Sequence, residues 1–170
     1  MARQRGPGSQ NRRPASCRRC FQYRHVRPGF PAYNRLSTEQ IRVHSNIYHP
    51  DYVVVVDETL LDSVHVTDGL KKEGAIIINT TRPRDELLPK LRGYAGRVYT
   101  IDARKISMET LGSYFPNSPM LAAIVKVSQI MEEERFLEEM RKSYAHKFAA
   151  KPEVIEGNMN ALSLALQEVQ

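Results

Sequence analysis

The sequence has no tryptophan, and after Cys20 it has no cysteine. A lone C-R-R-C pair, Cys17 and Cys20, supplies two of the four ligands of a structural zinc site, and no second pair follows. A thioredoxin-type role needs a βαβ context around such a pair, and none surrounds it. The cysteine-free remainder fits a reducing, cytoplasmic setting. No stretch has the apolar length that crosses a bilayer, and no apolar signal segment follows the opening Arg cluster. Nucleophile-elbow, phosphate-loop and paired catalytic-carboxylate motifs are all absent. His44, His49, His65 and His146 are scattered without metal-like spacing. Neither a metal site nor a catalytic residue is therefore assigned.

A further lack is local. Residues 1–31 contain no Asp, Glu or Lys, but eight Arg. The chain carries 25 Lys+Arg against 19 Asp+Glu, a net charge of +6. With those eight Arg set aside, 17 cations face 19 acids, so all of the basicity lies in the opening segment. Residues 32–170 are a near-neutral globular sequence, long enough for one domain with a core. Net charge is thus no argument that this body binds nucleic acid.

From Ala32 the pattern becomes regular. Ile41–His44 is a short extended candidate. Asp51–Asp57 (DYVVVVD) and Ala75–Asn79 (AIIIN) are β-branched runs apolar on both faces, as buried parallel strands require. Val98–Asp102 (VYTID) is a third strand. Between them, Glu58–Lys72 reads as helical material broken near Val66 and Asp68, and Asp85–Leu91 as a short helix interrupted by Pro89. Ile106–Leu111 follows as a helix closed by Gly112. Alternation of this kind predicts βαβ units on a parallel sheet.

The last third reads as helical. Met120–Ile130 is apolar, with Ser118 as N-cap and Pro119 in the N1 position. Glu132–Phe148 is amphipathic, with Phe136, Met140 and Tyr144 on one face. Its acids lie at the start and its bases at the end, as the helix dipole favours. Glu153–Val169 is the final helix. The predicted fold is α/β, doubly wound and mostly parallel, with a helical C-terminal third.

Ligands of open α/β sheets bind in the crevice beyond the carboxyl ends of the strands. Asp57, Glu58 and Thr59 follow the first strand there. Asn79, Thr80, Thr81 and Arg82 follow the second, and Asp102, Arg104 and Lys105 the third. Asn117 and Ser118 open the apolar helix. Asp57, Thr59, Asn79, Thr80, Thr81 and Asn117 are the candidate cofactor-binding set. These are anion- and hydroxyl-binding types, although each also serves ordinary caps and turns.

Taken together, IRVHSNIYHPDYVVVVDETLL, GLKKEGAIIINT, VYTIDARKIS and PNSPMLAAIVK, with the closing helices, resemble the gamma subunits of pyruvate (2-oxoacid):ferredoxin oxidoreductases. The resemblance covers about residues 32–170, in order and spacing. It implies a subunit that is not catalytic alone. The assembled enzyme oxidatively decarboxylates a 2-oxoacid with coenzyme A and reduces ferredoxin. Thiamine diphosphate, iron–sulfur clusters and coenzyme A are implied for the assembly, with none held by this chain alone. The implied partners are alpha, beta and delta-type subunits and, through them, ferredoxin. Membrane and nucleic acid are not among them.

Such subunits open with a strand and a G-R-G-G-Q-G turn, which lets backbone amides approach phosphate. Neither is present as written, so the domain is expected to be incomplete at its N-terminus. Read one base late, codons allowed for Ala2–Pro14 can spell W-H-G-R-G-G-Q-G-A-K-T-A, and those up to Pro31 can end in G-M-F-G-Q-A-F-P. The expectation is that residues 1–31 are an out-of-frame translation. The nucleotide sequence decides it. The alternative is a nucleic-acid-binding protein whose basic arm contacts phosphates, with Phe21 and Tyr23 stacking on bases. A free-standing nucleotide-binding domain is disfavoured because the phosphate turn is missing. A sheet without its first strand is expected to expose apolar edges and to depend on partner subunits.

Overall fold

The β-branched runs pair as parallel strands because their side chains can be buried on both faces only between two layers of helix. The computed structural model describes residues 32–37, 40–42 and 45–170. Two units divide at Ile47. In the first, the described residues form neither helix nor strand, and the candidate strand Ile41–His44 lies half outside them.

The second unit holds a three-stranded parallel sheet in the order β1-β2-β3. Its strands are β1 (Tyr52–Val55), β2 (Ala75–Asn79) and β3 (Arg97–Ile101). The helices are α1 (Leu60–Ser63), α2 (Arg84–Leu87), α3 (Ala103–Leu111), α4 (Asn117–Ser128), α5 (Glu133–Lys147) and α6 (Pro152–Glu168). A 3-10 turn over Leu88–Leu91 continues α2, where Pro89 has no N–H to give. The protein is therefore α/β, with helices on both faces of a parallel sheet.

The two faces of β2 feed separate cores, as the two-residue period dictates. Ile76 and Ile78 pack with Val55, Leu61, Leu87, Leu91 and Val98. Ala75 and Ile77 pack with Ile101, Ile106 and the buried sides of α4, α5 and α6. All four β2 aliphatics are 0% exposed. DYVVVVD behaves differently, because β1 is an edge strand and only Val55 in it is fully buried. Val54 and Val56 are 38% and 40% exposed, correcting the expectation of a run buried on both faces.

Glu58–Lys72 also forms less helix than expected. One turn, α1, is followed by bends that end at Gly69, where φ is +71°. A Cβ there would lie 1.9 Å from the Tyr48 carbonyl oxygen, so only glycine fits. Gly157 serves a different end. Its missing side chain lets α6 approach the last turn of α3, with an ideal Cβ 2.8 Å from both the Thr110 carbonyl and Leu111.

Several helix starts lie earlier than the sequence suggests. Helix α3 begins at Ala103, because the Asp102 carboxylate accepts the Lys105 N–H as an N-cap. Helix α4 begins at Asn117, which puts Pro119 two places further in and leaves Ser118 inside the first turn. The predicted Ser118 cap is therefore corrected. Buried Ser118 instead donates to Asn158 Oδ1 of α6 at 2.7 Å and shares a 2.9 Å hydrogen bond with the Tyr144 hydroxyl of α5.

Burial raises the Tyr144 phenol above its ordinary value, and the Ser118 bond opposes this in part. A phenol whose folded value is raised stabilises the fold fully below its unfolded value, about 10. That contribution is lost as pH rises through the folded value. Tyr144→Phe is expected to cost about 1 kcal/mol at neutral pH. It is also expected to remove this component of alkaline destabilisation. Denaturant unfolding of both proteins from about pH 8 to about pH 11 checks it.

Candidate functional site

Where a parallel strand ends, its next residues turn away from the sheet and their side chains are free to serve either the turn or a ligand. After β1, the Asp57 carboxylate accepts the Thr59 hydroxyl at 2.7 Å and the Thr59 N–H at 3.0 Å. The hydroxyl first, then the N–H, hold the Asp57 carboxyl below its ordinary range. These two candidates form one local turn.

After β2, Asn79 and Thr80 point into the protein. Asn79 is 8% exposed, and its amide is fully committed. Its Nδ2 donates to the Val56 carbonyl at 2.9 Å and to the Tyr114 hydroxyl at 3.3 Å. Its Oδ1 accepts the Ala103 N–H at 2.9 Å. One side chain thus joins the end of β1, the start of α3 and the loop before α4. The Thr80 hydroxyl donates to the Glu58 carboxylate and accepts the Arg82 N–H, tying the loops after β1 and β2 together. Arg82 Nε closes the same link at 3.6 Å from Glu58.

Thr81 and Asn117 are exposed. Thr80 and Thr81 line an open groove of about 1090 Å³ that runs over Arg82–Arg84, β3 and Gln170. Thr59 lines a small recess of about 50 Å³ that shares Arg82 with the groove. Asp57, Asn79 and Asn117 line neither. The strand ends thus separate into a polar frame, buried at Asn79 and Thr80 and reaching the surface through Glu58 and Arg82, and a rim of exposed hydroxyls and cations.

Sequence reasoning passed over Lys72, Arg84 and Arg97, which line the groove with Arg82 and Lys105. No local signal marks them. Lys72 and Arg97 flank the amino ends of β2 and β3, and only the pairing of those strands brings them to one groove. Tyr114 was also missed. It meets Asn79 from 35 residues away, and the Arg104 guanidinium lies 5.7 Å from its ring centroid. Among the described residues, no three His, Cys, Asp or Glu side chains gather as a metal site. No helix there is long and apolar enough to cross a membrane.

Fold and site together define an α/β domain, a parallel sheet flanked by helices, with polar and cationic side chains at its strand ends. The chain matches the family model described as pyruvate ferredoxin/flavodoxin oxidoreductase over residues 30–168, and it belongs to that family. Pyruvate synthase subunit PorC of Thermotoga maritima is 37% identical over 151 residues, covering 88% of this chain and 77% of that one. The common gamma subunit of the pyruvate/ketoisovalerate oxidoreductases of Pyrococcus furiosus is 36% identical over 120 residues, covering 71% and 65%. The crystal structure of pyruvate oxidoreductase subunit PORC from T. maritima superposes with a TM-score of 0.64 at 34% identity. That superposition covers 73% of this chain and 66% of the crystallised one.

Proposed function

We propose that this chain is the gamma-type subunit of a 2-oxoacid:ferredoxin oxidoreductase. The assembled enzyme oxidatively decarboxylates pyruvate or a related 2-oxoacid with coenzyme A and reduces ferredoxin. One observation carries the reading, the match to the family model over residues 30–168, with relatives named as PorC and common gamma subunits at 37% and 36% identity. Its working partners are alpha, beta and delta-type subunits in the cytoplasm, and it acts only among them.

Thiamine diphosphate and iron–sulfur clusters supply the decarboxylation and electron-transfer chemistry from those other subunits. Residues 32–170 do not fit a cluster. Thiolates hold such clusters, and residues 32–170 contain no cysteine. They do fit an anionic, hydroxyl-rich ligand. We place coenzyme A contacts along the strand ends. Thr81, Arg82 and Lys105 suit its phosphates, and Asp57, Thr59 and Asn117 its hydroxyl and amide groups. Asn79 and Thr80 set the loops that carry these contacts.

The test is reconstitution with the partner subunits. Coenzyme A-dependent reduction of ferredoxin by a 2-oxoacid should require this chain. Equal activity without it would contradict the proposal.

A further inference from the structure

The core that joins α4, α5 and α6 to the sheet is rich in small side chains. Ala122, Ala123, Ala161 and Ala165 are all 0% exposed within it. Side chains this small let α4 and α6 approach closely but interlock little. Directional bonds are then what fix one helix on another. Such bonds meet at Ser118, in the first turn of α4. Its hydroxyl has one proton, which it donates to Asn158 Oδ1 of α6 at 2.7 Å. It therefore accepts from the Tyr144 hydroxyl of α5, at 2.9 Å. Asn158 Nδ2 donates in turn to the Val154 carbonyl at 2.8 Å, one turn back in α6. Every member of this chain of bonds has a partner, as a buried polar network requires.

The same turn has little else to hold it. No side chain caps α4, whose N-cap position is Pro116. Pro119 has no N–H, and the first main-chain bond of the helix runs from the Met120 N–H to the Pro116 carbonyl at 2.9 Å. The preceding loop is tied at Tyr114 by its 3.3 Å contact with Asn79. Asn117 is exposed and lies next to Ser118, so it takes its position from the Ser118 bonds.

We propose that Tyr144 and Asn158 are positioning residues, acting through Ser118 to hold Asn117 where it meets coenzyme A. The inference rests on the reading of Asn117 as a coenzyme A contact, and on the bonds of Ser118 for how that contact is held. It also gives the polar chain a purpose. Apolar groups of the same shape would cost the fold little, but they would leave the first turn of α4 without a direction. A contact displaced by about 1 Å is enough to lose most of its effect on a bound reactant.

The test uses the enzyme assembled with its partner subunits, with coenzyme A and the 2-oxoacid varied in turn. Asn117→Ala should raise KM for coenzyme A about fivefold, and Ser118→Ala about as much, with KM for the 2-oxoacid changed less than about twofold. Tyr144→Phe and Asn158→Ala should move the same constant in the same direction. The double variant Asn117→Ala, Ser118→Ala should be no worse than Asn117→Ala alone, because one residue acts through the other. Ser118→Thr keeps the hydroxyl and should restore the wild-type value. Ser107→Ala is the control for stability. It removes another buried hydroxyl, bonded to the Ala103 carbonyl at 2.7 Å, and should leave KM for coenzyme A unchanged. In the full chain by itself, Ser118→Ala should speed exchange of the Met120 amide about tenfold more than that of Gln129, whose N–H bonds the Val125 carbonyl at the other end of α4.

The inference is overturned if Ser118→Ala leaves KM for coenzyme A unchanged while Asn117→Ala raises it, and the coenzyme A reading then stands. It is also overturned if Ser107→Ala raises that KM as much as Ser118→Ala, or if the Met120 and Gln129 amides speed up alike. An unchanged KM in Asn117→Ala overturns it too, and the coenzyme A reading falls with it if Arg82→Ala is equally silent. An inactive wild-type assembly would contradict the subunit reading itself, and this inference with it.

Discussion

Asn79→Ala is expected to destabilise the protein by about 3 kcal/mol, mostly through the groups left behind. The Ala103 N–H loses its acceptor in a position that is 0% exposed. A buried donor left without a partner costs about 1–3 kcal/mol. The Val56 carbonyl loses its donor as well, and the Tyr114 hydroxyl a longer contact. Tyr114→Phe removes only that 3.3 Å bond from an exposed ring and should cost about 0.5 kcal/mol. Denaturant unfolding with an unchanged slope would assign both differences to the native state. Equal costs for the two variants would show that Asn79 does not clasp β1 to α3.

The second large effect concerns the central strand. Ile76→Ala and Ile77→Ala are each expected to cost about 3–4 kcal/mol, within the range for deleting a buried isoleucine side chain. They empty cavities in two different cores, because Ile76 faces α1 and α2 while Ile77 faces α3 to α6. Their effects should therefore add in the double variant to within about 0.5 kcal/mol. Val54→Ala, at the partly exposed edge, should cost less than about 1 kcal/mol. A Val54 cost as large as that of Ile76 would mean that β1 is covered on its outer side.

That contrast marks the limit of what the sequence reveals. AIIIN and DYVVVVD look alike as strings, since both are short β-branched runs. Their difference lies in strand order, which composition does not encode. β2 has neighbours on both sides and β1 on one. The parallel α/β class was legible because alternation of strand and helix is a local signal. Helix starts were less so. Ser118 before Pro119 has the composition of a cap, yet its hydroxyl is spent on Tyr144 and Asn158, 26 and 40 residues away.

The candidate site divides the same way. Thr59 beside Asp57 is a local turn and could be read as one. The role of Asn79 as a three-way clasp depends on partners 23, 24 and 35 residues distant. Thr100 and Gln170 exchange both main-chain hydrogen bonds as an antiparallel pair, which has no counterpart in the string at all. Residues 1–31, whose composition suggested an out-of-frame reading or a basic arm, lie outside the described residues.

The central claim, that this chain works only as one subunit of a 2-oxoacid:ferredoxin oxidoreductase, has a direct measurement. The full chain would be co-expressed with alpha, beta and delta-type subunits, and the purified material assayed for pyruvate- and coenzyme A-dependent reduction of ferredoxin. The expected result is a complex that contains this chain in fixed ratio and loses that activity when it is omitted. A fully active complex that excludes the chain would contradict the account.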